Sequence, residues 1–238
     1  MSGENRFYNA KFYRELEQTR ESARIILPIV ISALKPASIV DMGCGAGHWL
    51  AAAEELGISD VVGVEGDWIS AAELAVPREK IVIHDLGTPL DLGRRFDVAI
   101  SLEVAEHLPG ARARGFIKTL CNAADRVLFS AAIPGQGGRH HLHEQWPKYW
   151  ADLFGELGYG CHDLLRPQVW SNPQVCWYYA QNCLLFVREG TASGLGPPAE
   201  PLPLVHPVAW SAQIARWNSP GKLLERIPKA ILNRKKGR

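Results

Sequence analysis

Three acidic residues close three successive apolar runs: Asp41 in "SIVDMG", Glu65 in "DVVGVEG" and Asp85 in "KIVIHDL". Each run is short and rich in Val and Ile, the pattern of a buried strand. The stretch "AGHWLAAAEELG" between the first two reads as a helix closed by Gly57, and "DWISAAELAV" as a helix ended by Pro77. "FDVAISLEV" and "RVLFSAAIP" supply a fourth and a fifth strand, with the helix "ARARGFIKTLCNAA" between them. Strands alternating with helices of this length build βαβ units, hence an α/β fold with a parallel sheet and helices on both faces. The three acids then share the carboxyl edge, where such sheets bind ligands.

The flanking segments differ in character. Residues 10–34 carry apolar groups at Leu16, Ala23, Ile26, Leu27, Val30 and Leu34, one face of a helix that Pro28 is expected to kink or split. "QWPKYWADLFGELGY" reads as an amphipathic helix closed by Gly158, and "YYAQNCLLFVRE" as a closing pair of strands or one long strand. The Gly- and Pro-rich residues 190–207 have the composition of a linker. The expected organisation is a helical extension at 1–36, a catalytic domain at 37–189, the linker, and a basic tail at 208–238.

A length of 238 residues suits one large domain with extensions, and the net charge of +1 gives no overall field toward nucleic acid. That balance hides a segment, 222–238, with a net charge of about +6. Its Leu223, Leu224, Ile227 and Ile231 fall on one helical side, so it could lie on an anionic membrane surface or dock on a partner, although Pro228 interrupts it. The five cysteines are odd in number and contain no C-x-x-C pair, which argues for a reducing compartment and against a cysteine zinc site. The first residues are polar and no apolar run reaches the length of a membrane span, so the expected location is the cytoplasm.

In "IVDMGCGAGHW", Asp41 precedes Gly43, Gly45 and Gly47. A dinucleotide loop requires G-x-G-x-x-G, and the residue after Gly47 is His48, so that reading fails. An acid followed by G-x-G-x-G resembles the first motif of class I S-adenosylmethionine (SAM)-dependent methyltransferases. The resemblance implies a Rossmann-like, mostly parallel seven-stranded sheet with helices on both faces, and SAM as cofactor. It implies that Asp41, Gly43, Gly45 and Gly47 approach the cofactor. Glu65 would hold its ribose, Asp85 and Leu86 its adenine, and Leu102 and Glu103 would lie beside it on the fourth strand.

"SLEVAEHLP", after that strand, adds Glu103, Glu106 and His107. Were a helix to begin near Glu103, the three would share a face. This E-x-x-E-H arrangement resembles that of small-RNA 3′-end ribose methyltransferases and of ubiquinone-pathway O-methyltransferases, where it is associated with a divalent metal. A later loop, "GQGGRHHLHEQW", offers His140, His141 and His143. From "SLEVAEHLP" through "HEQWPKYW" to "YYAQN" the chain also resembles a bacterial methyltransferase group found near cell-surface polysaccharide genes; its H-x-x-E-Q-W run maps to His141.

Two roles stay open: Glu103, Glu106, His107 and His141 could hold Mg²⁺ or Mn²⁺, or His107 or His141 could act as a general base without metal. Acids in a first helical turn can also be merely structural. Arg166, Trp170, Trp177, Tyr178, Tyr179, Gln181 and Asn182 are the expected substrate wall, suited to a sugar, while Trp146, Tyr149 and Trp150 are expected to face the core. The resulting expectation is O-methylation of a hydroxyl on a small molecule or glycan of surface polysaccharide synthesis. RNA ribose methylation and SAM binding without turnover are the alternatives, and the weakly charged catalytic domain counts against nucleic acid.

Overall fold

A computed structural model describes residues 10–68, 74–191 and 194–218, with side chains from residue 17 onward. Residues 69–73 of the helix expected before Pro77, and the basic segment 222–238, lie outside the described residues. The sheet contains β1 (Ser38–Met42), β2 (Asp60–Glu65), β3 (Ile81–Ile83), β4 (Val98–Leu102), β5 (Arg126–Ser130), β6 (Tyr159–His162) and β7 (Leu184–Arg188). Their spatial order is β3-β2-β1-β4-β5-β7-β6. β1 to β5 pair in parallel, and β7 runs antiparallel to both neighbours, so the sheet is mixed.

The direction of β7 has a topological cause. The segment after β6 forms α5 (Arg166–Val169) and α6 (Trp177–Asn182) without crossing back over the sheet, so β7 starts at the carboxyl edge and descends. "YYAQN" is therefore helical rather than a strand, and only "LLFVR" enters the sheet. This turn of the chain delivers Gln181 and Asn182 to the edge where the acids of β1 and β2 end. β6 has no apolar alternation to announce it and was not anticipated from the sequence.

Helices cover both faces. α1 (Ala10–Leu34) and α2 (His48–Glu55) pack with α6 on one side through Ala23, Ile26, Leu27, Val30, Leu50 and Tyr179. α3 (Gly110–Ala123) and α4 (Pro147–Gly155) pack on the other through Phe116, Leu120, Trp150 and Phe154. α1 continues through Pro28 without splitting, and its buried stripe belongs to the same core as the sheet. Trp150 is buried and Tyr149 packs against that core as expected, whereas Trp146, at the start of α4, is exposed.

The described part of the Gly/Pro-rich segment is tied down. Ala199 N–H donates to the Cys161 carbonyl, the Arg166 guanidinium to that of Leu202, and His206 N–H to Gln181 Oε1, at 2.9, 2.9 and 2.8 Å. α7 (Pro207–Trp217) follows. All five cysteines are buried as thiols. Among the described residues, no helix is long and apolar enough to cross a membrane.

Candidate active site

A cleft of about 1020 Å³ opens at the carboxyl edge of β1, β2, β3 and β4. Gly43, Gly45, Glu65, Asp85, Leu86 and Glu103, all named from the sequence, line it. Asp41, Gly47 and Leu102 do not; they form the layer beneath. Asp41 is buried, and burial and then the charge of Glu65 push its pKa well above the usual carboxylate range.

Glu65 braces the glycine loop: its two oxygens accept N–H bonds from Gly45 at 2.7 Å and Gly66 at 2.8 Å. Burial raises its pKa and these two bonds oppose the rise. Gly43 has φ +88°, and a β-carbon there would lie 2.4 Å from Val104 Cγ2. Only glycine lets the loop after β1 pass this close to the loop after β4.

Cleft residues missed by the sequence reading include Asp67, Trp68, Ile83, His84 and Arg139. Trp68 sits three residues past Glu65 and is 71 % exposed, with its indole over Gly66. A large aromatic just after a strand-end acid is the signal that could have found it.

The loop after β4 departs from expectation. No helix begins at Glu103; Glu103 has φ +56°, a tight turn occupies Ala105–His107, and α3 starts only at Gly110. Left-handed backbone at a non-glycine residue is uncommon and concentrates at functional sites. Here the Glu103 carboxylate is held by neutral amides: Gln136 Nε2 donates at 2.7 Å and Asn182 Nδ2 at 3.0 Å. Burial raises the Glu103 pKa, and the bonds from Asn182, Ser130 and Gln136 restrain it.

Glu106, His107 and His141 do come together, each offering a ligand atom within 4.8 Å of the others. Glu106 is fully buried, and neither carboxylate oxygen has a hydrogen-bond partner. Burial, then the charge of Glu103, push its pKa up to about 9. The His107 and His141 rings meet edge to face with centroids 4.9 Å apart. Desolvation and then His141 lower the His107 pKa, which keeps its imidazole neutral near pH 7.

Backbone bonds hold the histidine loop against this turn. The Glu106 carbonyl accepts from Leu142 N–H at 2.8 Å and His143 N–H at 2.9 Å. His141 Nδ1 lies 2.9 Å from Glu144 Oε1, and His107 Nδ1 lies 3.3 Å from the His140 carbonyl, leaving each Nε2 as the ring's remaining nitrogen. Glu144 also accepts the Gly135 and Gly137 N–H groups; burial opposes its ionisation, but His141 and these donors prevail and lower its pKa. His143 meets Tyr149 and Trp150 edge to face instead, and His140 lines the cleft.

The expected substrate wall is dispersed. Arg166 is 1 % exposed and paired with Asp163 at 2.7 Å, and Tyr179 is buried against Trp49. Tyr178 packs against the core beside α1 and α2, and Gln181 and Asn182 are buried in the amide network beneath Glu103. Trp170 and Trp177 line a separate pocket. Helix packing on the sheet accounts for the first three, since an aromatic or a long cation beside a sheet edge buries more surface inward than toward a cleft.

A mixed seven-stranded sheet with a glycine loop and ligand cleft at its carboxyl edge defines an α/β enzyme that binds a nucleoside-bearing cofactor. Solved structures share this fold. The magnesium protoporphyrin IX methyltransferase ChlM from Synechocystis PCC 6803, with bound SAM, aligns with a TM-score of 0.53 and 21 % identity over 79 % of this chain and 86 % of that one. The methyltransferase domain of bacterial CtHen1-C aligns with a TM-score of 0.52 and 19 % identity over 73 % and 98 %. No curated protein matches the chain in sequence. A methyltransferase-domain family model matches residues 13–179, and the chain belongs to this family; it is a SAM-dependent methyltransferase.

The cleft fits that cofactor. Glu65, Asp67, Asp85 and Glu103 gather carboxylates around a space large enough for a nucleoside, and SAM carries a sulfonium and an ammonium charge. Gly43 and Gly45 let the backbone come close to the ligand, as a bound amino acid and ribose require.

Proposed function

We propose that this methyltransferase acts on a hydroxyl, that of a sugar in a surface polysaccharide or its precursor, in the cytoplasm. One observation carries the choice of oxygen chemistry: a fully buried, unpartnered Glu106 carboxylate faces two imidazoles at the edge of the cofactor cleft. A buried polar group without a partner destabilises the fold by about 1–3 kcal/mol, so its persistence points to a ligand. The sequence resemblance to the bacterial polysaccharide-associated group supports the sugar.

Glu106, His107 and His141 would hold the divalent ion, Mg²⁺ or Mn²⁺. An ion there would lower the pKa of a substrate hydroxyl. SAM, when bound, supplies an electrophilic sulfonium methyl. The protein's own residues align the oxygen. His107, with Nδ1 turned to the His140 carbonyl, would present Nε2 to that ion. Glu144 fixes His141 in the same tautomer. Glu103, held by two amides, bounds the cleft without binding the ion.

Tritiated-methyl transfer from SAM into candidate glycans, lipids and RNA, with and without Mn²⁺, tests this reading. Transfer into glycans that disappears with chelator is expected. Transfer into RNA alone, or into nothing, would overturn it. The basic segment 222–238 supports contact with an anionic membrane that carries the acceptor, and deleting it should weaken binding to phosphatidylglycerol vesicles. Unchanged binding would rule that contact out.

A further inference from the structure

A second pocket, of about 450 Å³, opens where the start of α6 meets α1 and the residues leading into α7. Gln18, Trp170, Asn172, Gln174, Trp177 and His206 line it. Among the described residues that line it, none is Lys, Arg, Asp or Glu. A charged ligand would lose hydration there with no counter-charge in return. Two indoles offer apolar faces and N–H donors, and the carboxamides can donate and accept together. This combination suits a neutral ring bearing several hydroxyls.

The walls are set before any ligand arrives. Asn172 Oδ1 accepts the Gln174 N–H at 2.9 Å, closing a tight turn. Ser22 Oγ on α1 accepts the Cys176 N–H at 2.9 Å, and His206 Nε2 lies 2.9 Å from the Trp170 carbonyl with the two rings in contact. Walls already fixed reduce the ordering that binding requires.

This pocket is wired to the methyl-transfer cleft. Trp177 begins α6, and Asn182, at its other end, donates to Glu103 at 3.0 Å. A helix of this length spans only about 9 Å. From the pocket wall, His206 N–H donates to Gln181 Oε1; Gln181 Nε2 donates to Gln136 Oε1, and Gln136 Nε2 to Glu103, at 2.8, 3.0 and 2.7 Å.

We propose that this pocket is a saccharide subsite, holding neutral sugar units of the acceptor while another unit of the same chain enters the cleft. The proposal rests on the reading of the protein as a sugar O-methyltransferase. Neutral and uronic-acid-containing oligosaccharides of two to four units, displayed on an array and followed by calorimetry without SAM, test it directly. Neutral members are expected to bind, with affinity falling at least tenfold in Trp177→Ala. Gln174 is exposed, so Gln174→Trp should fill the pocket and give the same loss without disturbing the core.

Absence of binding by any neutral oligosaccharide, or binding unchanged in both variants, would overturn the subsite. Methyl transfer to glycans is measured separately. Transfer without pocket binding removes the subsite and leaves the O-methylation reading intact. Pocket binding without transfer removes that reading and leaves a sugar-binding pocket.

Discussion

His141 Nδ1 and Glu144 Oε1 lie 2.9 Å apart, and this pair decides which histidine of "RHHLHEQW" faces Glu106. Gly138 makes room for it, because a β-carbon there would lie 2.1 Å from His141 Nε2. Carboxylate partners of metal-binding imidazoles are commonly worth 10- to 100-fold in affinity. Glu144→Gln is therefore expected to weaken Mn²⁺ binding by about 10-fold or more while SAM affinity stays unchanged. Calorimetric titration with each ligand separates the two effects.

Glu106→Gln should abolish the cation site yet stabilise the metal-free protein at alkaline pH. The Glu106 pKa is raised to about 9 in the folded state from an ordinary value of 4.5. The folded state therefore binds the extra proton, and wild-type stability declines as pH rises from about 4.5 toward 9. Glutamine removes that ionisation. Chemical denaturation with chelator at pH 8 should show the variant more stable by about 1–3 kcal/mol, and equal stability would reject the raised pKa of Glu106.

His107 has the opposite sign. Its folded pKa lies below 6.5, so stability contributed by the neutral ring is present above 6.5 and declines as pH falls through that value toward the folded pKa. Methyl transfer should likewise fall on the acid side, below the usual imidazole range. His107→Gln is expected to flatten that acid limb and lower kcat by about 10²-fold or more. A pH–rate profile of the variant that keeps the wild-type limb would assign it to another group.

Gly43→Ala should damage cofactor binding. The substitution forces a side chain into positive φ and against Val104. Loss of about 1 kcal/mol of stability is expected together with loss of SAM affinity, read by thermal melting with and without SAM.

Arg166→Met tests whether Arg166 is structural. The guanidinium is buried, and its bonds go to Asp163, Leu202 and Gln181. A destabilisation of about 2 kcal/mol is expected in urea titration. Unaltered stability with altered acceptor KM would return this residue to the substrate wall.

The sequence by itself determined what local pattern can encode. Short Val- and Ile-rich runs ending in acids placed Asp41, Glu65 and Asp85 at strand ends, and glycine spacing marked the turn after β1. What it could not supply were partners across the fold. Glu103 is set by Asn182, 79 residues away, and by Gln136, 33 residues away. Those contacts depend on β7 running antiparallel and on a positive φ at Glu103, neither of which follows from a neighbour's identity. The seven aromatic, amide and cationic residues expected along one wall look alike in composition; packing against the sheet buried five of them at least in part and left Trp170 and Trp177 around a pocket of their own. Exposure of a side chain is a property of the packed layers, so only the tertiary structure could divide them.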